Sequence, residues 1–271
     1  MNILIIGDVV GSAGRAVLNA ELAELRRKLK TDFVIVNGEN AAHGFGITGG
    51  ICESFYQAGA DCITTGNHAF DQREVIDQMA RDERILRPVN YPPNTPGKGY
   101  AIYTTDGGKR VLVANIMCRL FMELLDDPFQ ALEQLLTRFR LGRDVDAIIL
   151  AVHGEATSEK QAIANMVDGK VSAVVGTHTH VPTADCRVMP GGTAYQTDLG
   201  MTGDYDSVIG MKKEAALARF LTKGERIRLE PATEEGTLCG AFIKVDDATG
   251  LAKSIKPVRI GAHLERAVPK G

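Results

Sequence analysis

Paired cysteine is what the chain most obviously lacks. Its five cysteines (Cys52, Cys62, Cys118, Cys186 and Cys239) are an odd number without C-x-x-C spacing, which argues against a disulfide framework and against a zinc–thiolate site. They read as reduced thiols, mostly in the core. An excess of positive charge is missing too: the formal net charge is −3, whereas general nucleic-acid binding draws on basic residues set against phosphates. That balance still allows a small phosphate-containing substrate. No stretch reaches the roughly 18 apolar residues of a membrane span. The start, MNILIIGDVVG, has no basic region and meets Asp8 at once, unlike a secretory signal. These absences predict a cytoplasmic protein with no membrane partner and no stable nucleic-acid complex. With no internal repeat, low-complexity tract or linker, one domain over residues 1–271 is expected, and a homo-oligomer is left open.

What is present is an α/β alternation. NILIIG reads as a buried strand, followed by a helix that places Leu18, Leu22, Leu25 and Leu29 on one face. DFVIVNG and DCITTGN read as further strands, and TGGICESFYQAG and DQREVIDQMARD as the helices after them. Such a βαβαβ rhythm implies parallel strands joined by helical crossovers. Pro88, Pro92, Pro93 and Pro96 mark an irregular loop, after which residues 100–116 read as a hairpin turning at Asp106-Gly107-Gly108. A helix near 128–140, the strand DAIILAVHG, the helix TSEKQAIANMVDG and the strand VSAVVG restore the pattern. Beyond Pro182 the chain turns to short strands (TADCRVM, TAYQTD, CGAFIKVD, AKSIKPVRI) with one helix around 210–222.

The strand ends carry the polar residues. They read Gly7-Asp8, Asn37-Gly38-Glu39-Asn40, Gly66-Asn67-His68, His153-Gly154-Glu155 and Gly176-Thr177-His178-Thr179-His180. In a parallel sheet these carboxyl ends share one edge, where open α/β sheets bind ligands. Taken singly, each has an ordinary structural use: Asp8 as a helix cap, Asn67 in a turn, His153 bonded to a carbonyl. Together they supply enough carboxylates, carboxamides and imidazoles for two metal ions. Nitrogen and oxygen donors without thiolate suit manganese, iron or zinc. Two such ions can clamp a phosphoryl oxygen and make hydroxide available near neutral pH, the machinery of phosphoester hydrolysis.

In motif order and wording, GDVVGSAGR, NGENAAHGFGIT, GNHAFD, HGEATSEK and GTHTHVPTAD, the chain resembles the calcineurin-like metallophosphoesterases and within them the YmdB-like branch. It departs from the wider superfamily at Val10, where a histidine usually stands, at Glu39 in place of aspartate, at Ala69 in place of an acid, and at the inserted Thr177. These departures match the YmdB-like branch. The resemblance implies a four-layer α/β/β/α sandwich of two mixed sheets. It implies one metal on Asp8, Glu39, Asn40 and His180 and a second on Glu39, Asn67, His153 and His178, with Glu39 bridging. His68 would donate a proton to the leaving alkoxide and a bridging water or hydroxide would attack, with no covalent intermediate. The implied substrates are small cyclic nucleotides, 2′,3′-cyclic ones first.

Other features carry less. Gly44-Phe45-Gly46-Ile47-Thr48-Gly49 matches G-x-G-x-x-G, but NGENAAH separates it from the strand and no acidic residue ends the next one, so a dinucleotide site is disfavoured. His43 and Phe45 are instead expected to line the substrate cleft, as are Met201 and Thr202 in TDLGMTGDYDS. His263 reads as a surface residue. Arg15, Arg73 and Lys160 are scattered, so no track for a long polyanion is evident. A metal-dependent amidohydrolase also uses H-x-H, but early in a (β/α)8 barrel rather than at 178–180. A non-catalytic metal-dependent regulator is the other alternative, and retention of His68 weighs against it.

Overall fold

The computed structural model describes residues 1–222 and 227–270. In its first part lie β1 (Asn2–Ile6), β2 (Asp8–Val9), α1 (Gly11–Leu29), β3 (Phe33–Asn37), α2 (Gly49–Ala58), β4 (Cys62–Thr64), α3 (Glu74–Met79) and β5 (Ile85–Leu86). Next come β6 (Tyr100–Thr104), β7 (Arg110–Met117), α4 (Pro128–Arg138), β8 (Ala147–His153), α5 (Thr157–Val167) and β9 (Ala173–Thr177). The last are β10 (Arg187–Val188), β11 (Ala194–Gln196), β12 (Met201–Asp204), α6 (Lys213–Leu221), β13 (Gly236–Val245) and β14 (Ala252–Ile260).

One sheet runs β2-β12-β13-β1-β3-β4-β5, with β14 also paired to β13; the other runs β10-β11-β9-β8-β7-β6. Both are mixed. In the first, β1, β3, β4 and β5 are parallel and β13 is antiparallel to β1. In the second, parallel β7, β8, β9 and β11 are bordered by antiparallel β6 and β10.

Alternation along the strands assembles the layers. In β1, Leu4 and Ile6 pack with Leu18, Leu22, Leu25 and Leu29 of α1, while Ile3 and Ile5 face the other sheet and join Val111, Val113, Ile149 and Val175. The outer face of the second sheet, with Leu112, Ala114 and Ile116, is covered by Leu132 and Leu135 of α4 and Ile163 and Val167 of α5. The result is the expected helix–sheet–sheet–helix sandwich. No helix among the described residues is long and apolar enough to cross a membrane.

Several local expectations need correction. The strand ends do not share one sheet edge: β1, β3 and β4 lie in the first sheet, whereas β8 and β9, with the β6–β7 hairpin, lie in the second. Runs buried on both faces look alike in either sheet, so their sequence does not disclose the change. The helices expected over 71–82 and 210–222 shorten to Glu74–Met79 and Lys213–Leu221. Of TADCRVM only Arg187–Val188 is strand, because Asp185 bonds Thr183 Oγ1, Thr197 N and Thr197 Oγ1, a side-chain alternative to a ladder. Met201–Asp204 forms a strand parallel to β2.

Candidate metal centre

The ends of both sheets meet at one place. Asp8 opens β2, Glu39 and Asn40 follow β3, and Asn67 and His68 follow β4; His153 ends β8, and His178 and His180 follow β9. Gly66 makes the approach possible, since a Cβ there would collide with the Glu39 carboxylate and the His153 ring. His178 and His180 sit at φ +102° and +65°, a region that non-glycine residues seldom occupy and that persists where surroundings enforce it. Here the enforcement is polar. His178 N donates to Asp8 Oδ2 at 2.8 Å and Thr179 N to Asp198 Oδ2 at 3.0 Å. Fully buried Lys160 donates to Thr177 O at 2.7 Å and to Asp198 Oδ2 at 2.9 Å.

At the centre, His153 Nε2 lies 2.9 Å from Asn67 Oδ1, 3.0 Å from Glu39 Oε1 and 3.0 Å from His178 Nδ1. A ring nitrogen carries at most one proton, so it cannot satisfy three such neighbours. On the other side, His180 Nδ1 donates to Ile209 O at 2.7 Å, which leaves Nε2 a lone pair; it faces Asn40 Oδ1 at 3.3 Å. The Asn40 amide nitrogen is committed to Gly44 O at 3.0 Å. Asp8 Oδ1 is buried without a hydrogen-bond partner, and Glu39 Oε1 has beside it only the crowded His153 Nε2. More lone pairs converge here than one ring proton can serve, which fits a cation, and ligand atoms of Glu39, His153 and His178 lie within 4.8 Å of one another.

Charge follows the same geometry. Burial pushes Asp8 up to about 6, against the pull of His180 and His153. Burial acts in the same sense on Glu39, yet the charge of His153, its hydrogen bond and then His68 hold it down at about 2. Burial, then the neighbouring His153, pushes His178 down to about 3, keeping it the neutral imidazole that ligates metals.

Known proteins resemble the chain over most of its length. The family model described as YmdB-like protein matches residues 4–258. This chain belongs to the YmdB-like family, within the metallophosphoesterases. It is 46% identical over 260 residues to the 2′,3′-cyclic-nucleotide 2′-phosphodiesterase of Bacillus subtilis, covering 96% of this chain and 97% of that one. A hypothetical protein of Thermus thermophilus, 42% identical, superposes with a TM-score of 0.90 over 96% of this chain and 99% of its own. A novel phosphatase of Mycoplasma pneumoniae, 34% identical, gives 0.87 over 96% and 93%.

Around the YmdB-like centre stand residues that sequence reasoning did not single out for a role. His68 Nδ1 donates to Asp71 Oδ2 at 2.8 Å, supplying from three positions on the acid that Ala69 does not. The i,i+3 spacing in HAFD was the available signal. His178 Nε2 lies 3.3 Å from Glu155 Oε2. Nothing local in sequence marks Lys160 and Asp198 as a pair. Phe45 packs edge-on against His68, ring centroids 5.1 Å apart, and with His43 lines a cleft of about 900 Å³. Met201 and Thr202 are elsewhere. Both are buried in β12, where Met201 is in register with Asp8 and the Thr202 hydroxyl bonds the Cys239 backbone. They stand behind Asp8 rather than on the cleft wall, because the strand that carries them is packed into the core.

Proposed function

We propose that this chain, as a single domain over residues 1–271, is a dinuclear metal-dependent phosphodiesterase acting in the cytoplasm on small cyclic nucleotides, 2′,3′-cyclic nucleotides first. The observation that carries the reading is the crowding of His153 Nε2 by Glu39, Asn67 and His178, a donor set short of protons and suited to cations. The activity named for the Bacillus subtilis relative supplies the substrate class. The five cysteines are all free, as a reducing compartment keeps them.

Asp8, Glu39, Asn40 and His180 would hold one ion, and Glu39, Asn67, His153 and His178 the other, with the Glu39 charge shared. Manganese or iron suits these donors, and zinc is compatible. When bound, such a pair of ions polarises the phosphoryl oxygens and supplies water as a nucleophile near neutral pH. As an imidazolium, His68 would give its Nε2 proton to the departing ribose oxygen, while Asp71 accepts from Nδ1 and holds the ring in place. His43 and Phe45 would contact the nucleoside. The strain of a five-membered cyclic phosphate lowers the demand on all of them.

The test is product chromatography after incubating the manganese-supplemented protein with 2′,3′-cyclic AMP, 3′,5′-cyclic AMP and a simple phosphomonoester. A single nucleotide monophosphate formed fastest from the 2′,3′-cyclic substrate is expected. A preference for the monoester would overturn the reading.

A further inference from the structure

The metal centre accounts for one phosphate. The adjoining cleft, at about 900 Å³, is at the large end for a small-molecule site. Its wall gathers four cationic side chains that are far apart in sequence: Arg15 from α1, Lys212 and Arg219 at and within α6, and Arg228 beyond it. Among its described lining residues Glu230 is the only carboxylate, and it is engaged by Lys212 at 2.8 Å. Arg15 and Arg219 are held by carbonyls instead. Arg15 Nη1 donates to Ala41 O, and Arg219 Nε and Nη2 donate to Ile227 O at 3.1 and 2.8 Å. A carbonyl fixes a guanidinium without neutralising it, so the described lining of the cleft is positive in a chain whose net charge is −3. The scatter of basic residues along the sequence therefore conceals a local concentration.

The cleft borders the reaction site at Phe45, which lines it. Gln72, on its wall, donates to Phe45 O at 2.8 Å, and Phe45 rests against His68. A free cyclic mononucleotide has a single phosphate, which the metal centre takes, and nothing for Arg15, Arg219 and Arg228 to neutralise. We propose that the cleft binds a second phosphate upstream of the cyclic one, making the substrate a short oligoribonucleotide that ends in a 2′,3′-cyclic phosphate. This rests on the phosphodiesterase reading above. The covalent step is the same hydrolysis: a water oxygen bonds to phosphorus, one ring P–O bond breaks, the released ribose oxygen takes a proton, and a terminal monoester remains. Nothing is oxidised or reduced.

The experiment compares kcat/KM of the full chain with manganese for 2′,3′-cyclic AMP, for the same nucleotide carrying a 5′-phosphate, and for the diadenosine dinucleotide ending in 2′,3′-cyclic phosphate. The dinucleotide is expected to be favoured over 2′,3′-cyclic AMP by about tenfold or more, one tenfold step being about 1.4 kcal/mol. That advantage is expected to shrink as salt rises, and Arg15→Gln and Arg228→Gln are each expected to move the dinucleotide-to-mononucleotide ratio toward one. Two variants are used because Arg15 also holds Ala41. Good turnover of the mononucleotide without any dinucleotide preference overturns the proposal and leaves the phosphodiesterase reading standing. A 5′-phosphorylated mononucleotide that matches the dinucleotide overturns the oligonucleotide assignment. Failure to hydrolyse any of the three overturns both.

Discussion

The imidazole of His68 is tied to Asp71: Nδ1 donates to Oδ2 at 2.8 Å, which commits that nitrogen and leaves the proton chemistry to Nε2. Removing the ring by His68→Ala is expected to slow hydrolysis of a poor leaving group by about 10²- to 10⁴-fold. Asp71→Asn, which loosens the ring without removing it, is expected to cost about 10- to 100-fold, the usual effect of losing a partner that orients a histidine. Both variants are expected to keep their metal. A nitrophenyl diester, whose leaving group departs without a proton, separates the roles. Equal losses on the two substrates would show that His68 positions the phosphate rather than protonating the leaving oxygen.

Glu39 occupies the junction of the two ligand sets, with His153 Nε2 3.0 Å from its Oε1 and the His68 backbone N 3.4 Å from its Oε2. Glu39→Gln is expected to preserve the fold and lose most activity together with much of one metal, because a shared negative charge disappears between two cations. Elemental analysis beside steady-state turnover checks it. Metal content and rate both equal to wild type would sink the shared-ligand assignment.

Lys160 and Asp198 are both fully buried, 2.9 Å apart, and together they hold the turn that presents His178 and His180. Truncating one partner leaves the other charge buried and unpaired, at a cost of about 3–5 kcal/mol. Lys160→Met is thus expected to lower Tm by about 6–20 °C, at about 2–4 °C per kcal/mol for larger domains. Lys160→Met with Asp198→Asn is expected to recover part of the loss, since no charge is then stranded. Thermal melts of the three proteins decide it. A Lys160→Met protein that melts with wild type would mean the pair contributes nothing to the turn.

What the sequence disclosed and withheld divides along locality. Asp8, Glu39, Asn67, His153 and His178 were legible because each stands at or beside the end of an apolar run with a glycine close by, a pattern contained in a few residues. That β1–β5 and β6–β11 belong to different sheets was not legible, since Ile3 and Val113 are both simply buried apolar residues until the partner sheet is known. Met201 and Thr202 were placed on the cleft because glycines flank them. Their pairing with Asp8 and Val9 in β2 is a contact between segments far apart in the chain, and it turns them inward. Asp71 is not marked by the motif, whose acid usually stands directly after the histidine, although a side chain three positions on reaches the ring equally well.

Metal removal links the centre to stability. Asp8 Oδ1 is buried without a hydrogen-bond partner, and such an atom costs about 1–3 kcal/mol, more when charged. Chelation is expected to lower Tm and manganese to restore it, since a ligand that binds only the folded form stabilises it. Asp8 gives this a pH signature. Burial raises its carboxyl from 3.8 to about 6, so the folded metal-free protein binds the proton more tightly than the unfolded chain. That contribution is fully present below about pH 4 and is lost as pH rises through about 6. With each pKa unit near 1.4 kcal/mol, it amounts to about 3 kcal/mol. Asn has no such proton to lose, so in chelator Asp8→Asn is expected to gain on wild type between about pH 4.5 and about pH 7.5. With manganese the order reverses, because wild type alone keeps the full ligand set. Melting both proteins at the two pH values, with and without metal, tests each sign separately. A wild-type-to-variant gap that ignores pH in chelator and ignores manganese at the higher pH would remove Asp8 from the metal centre.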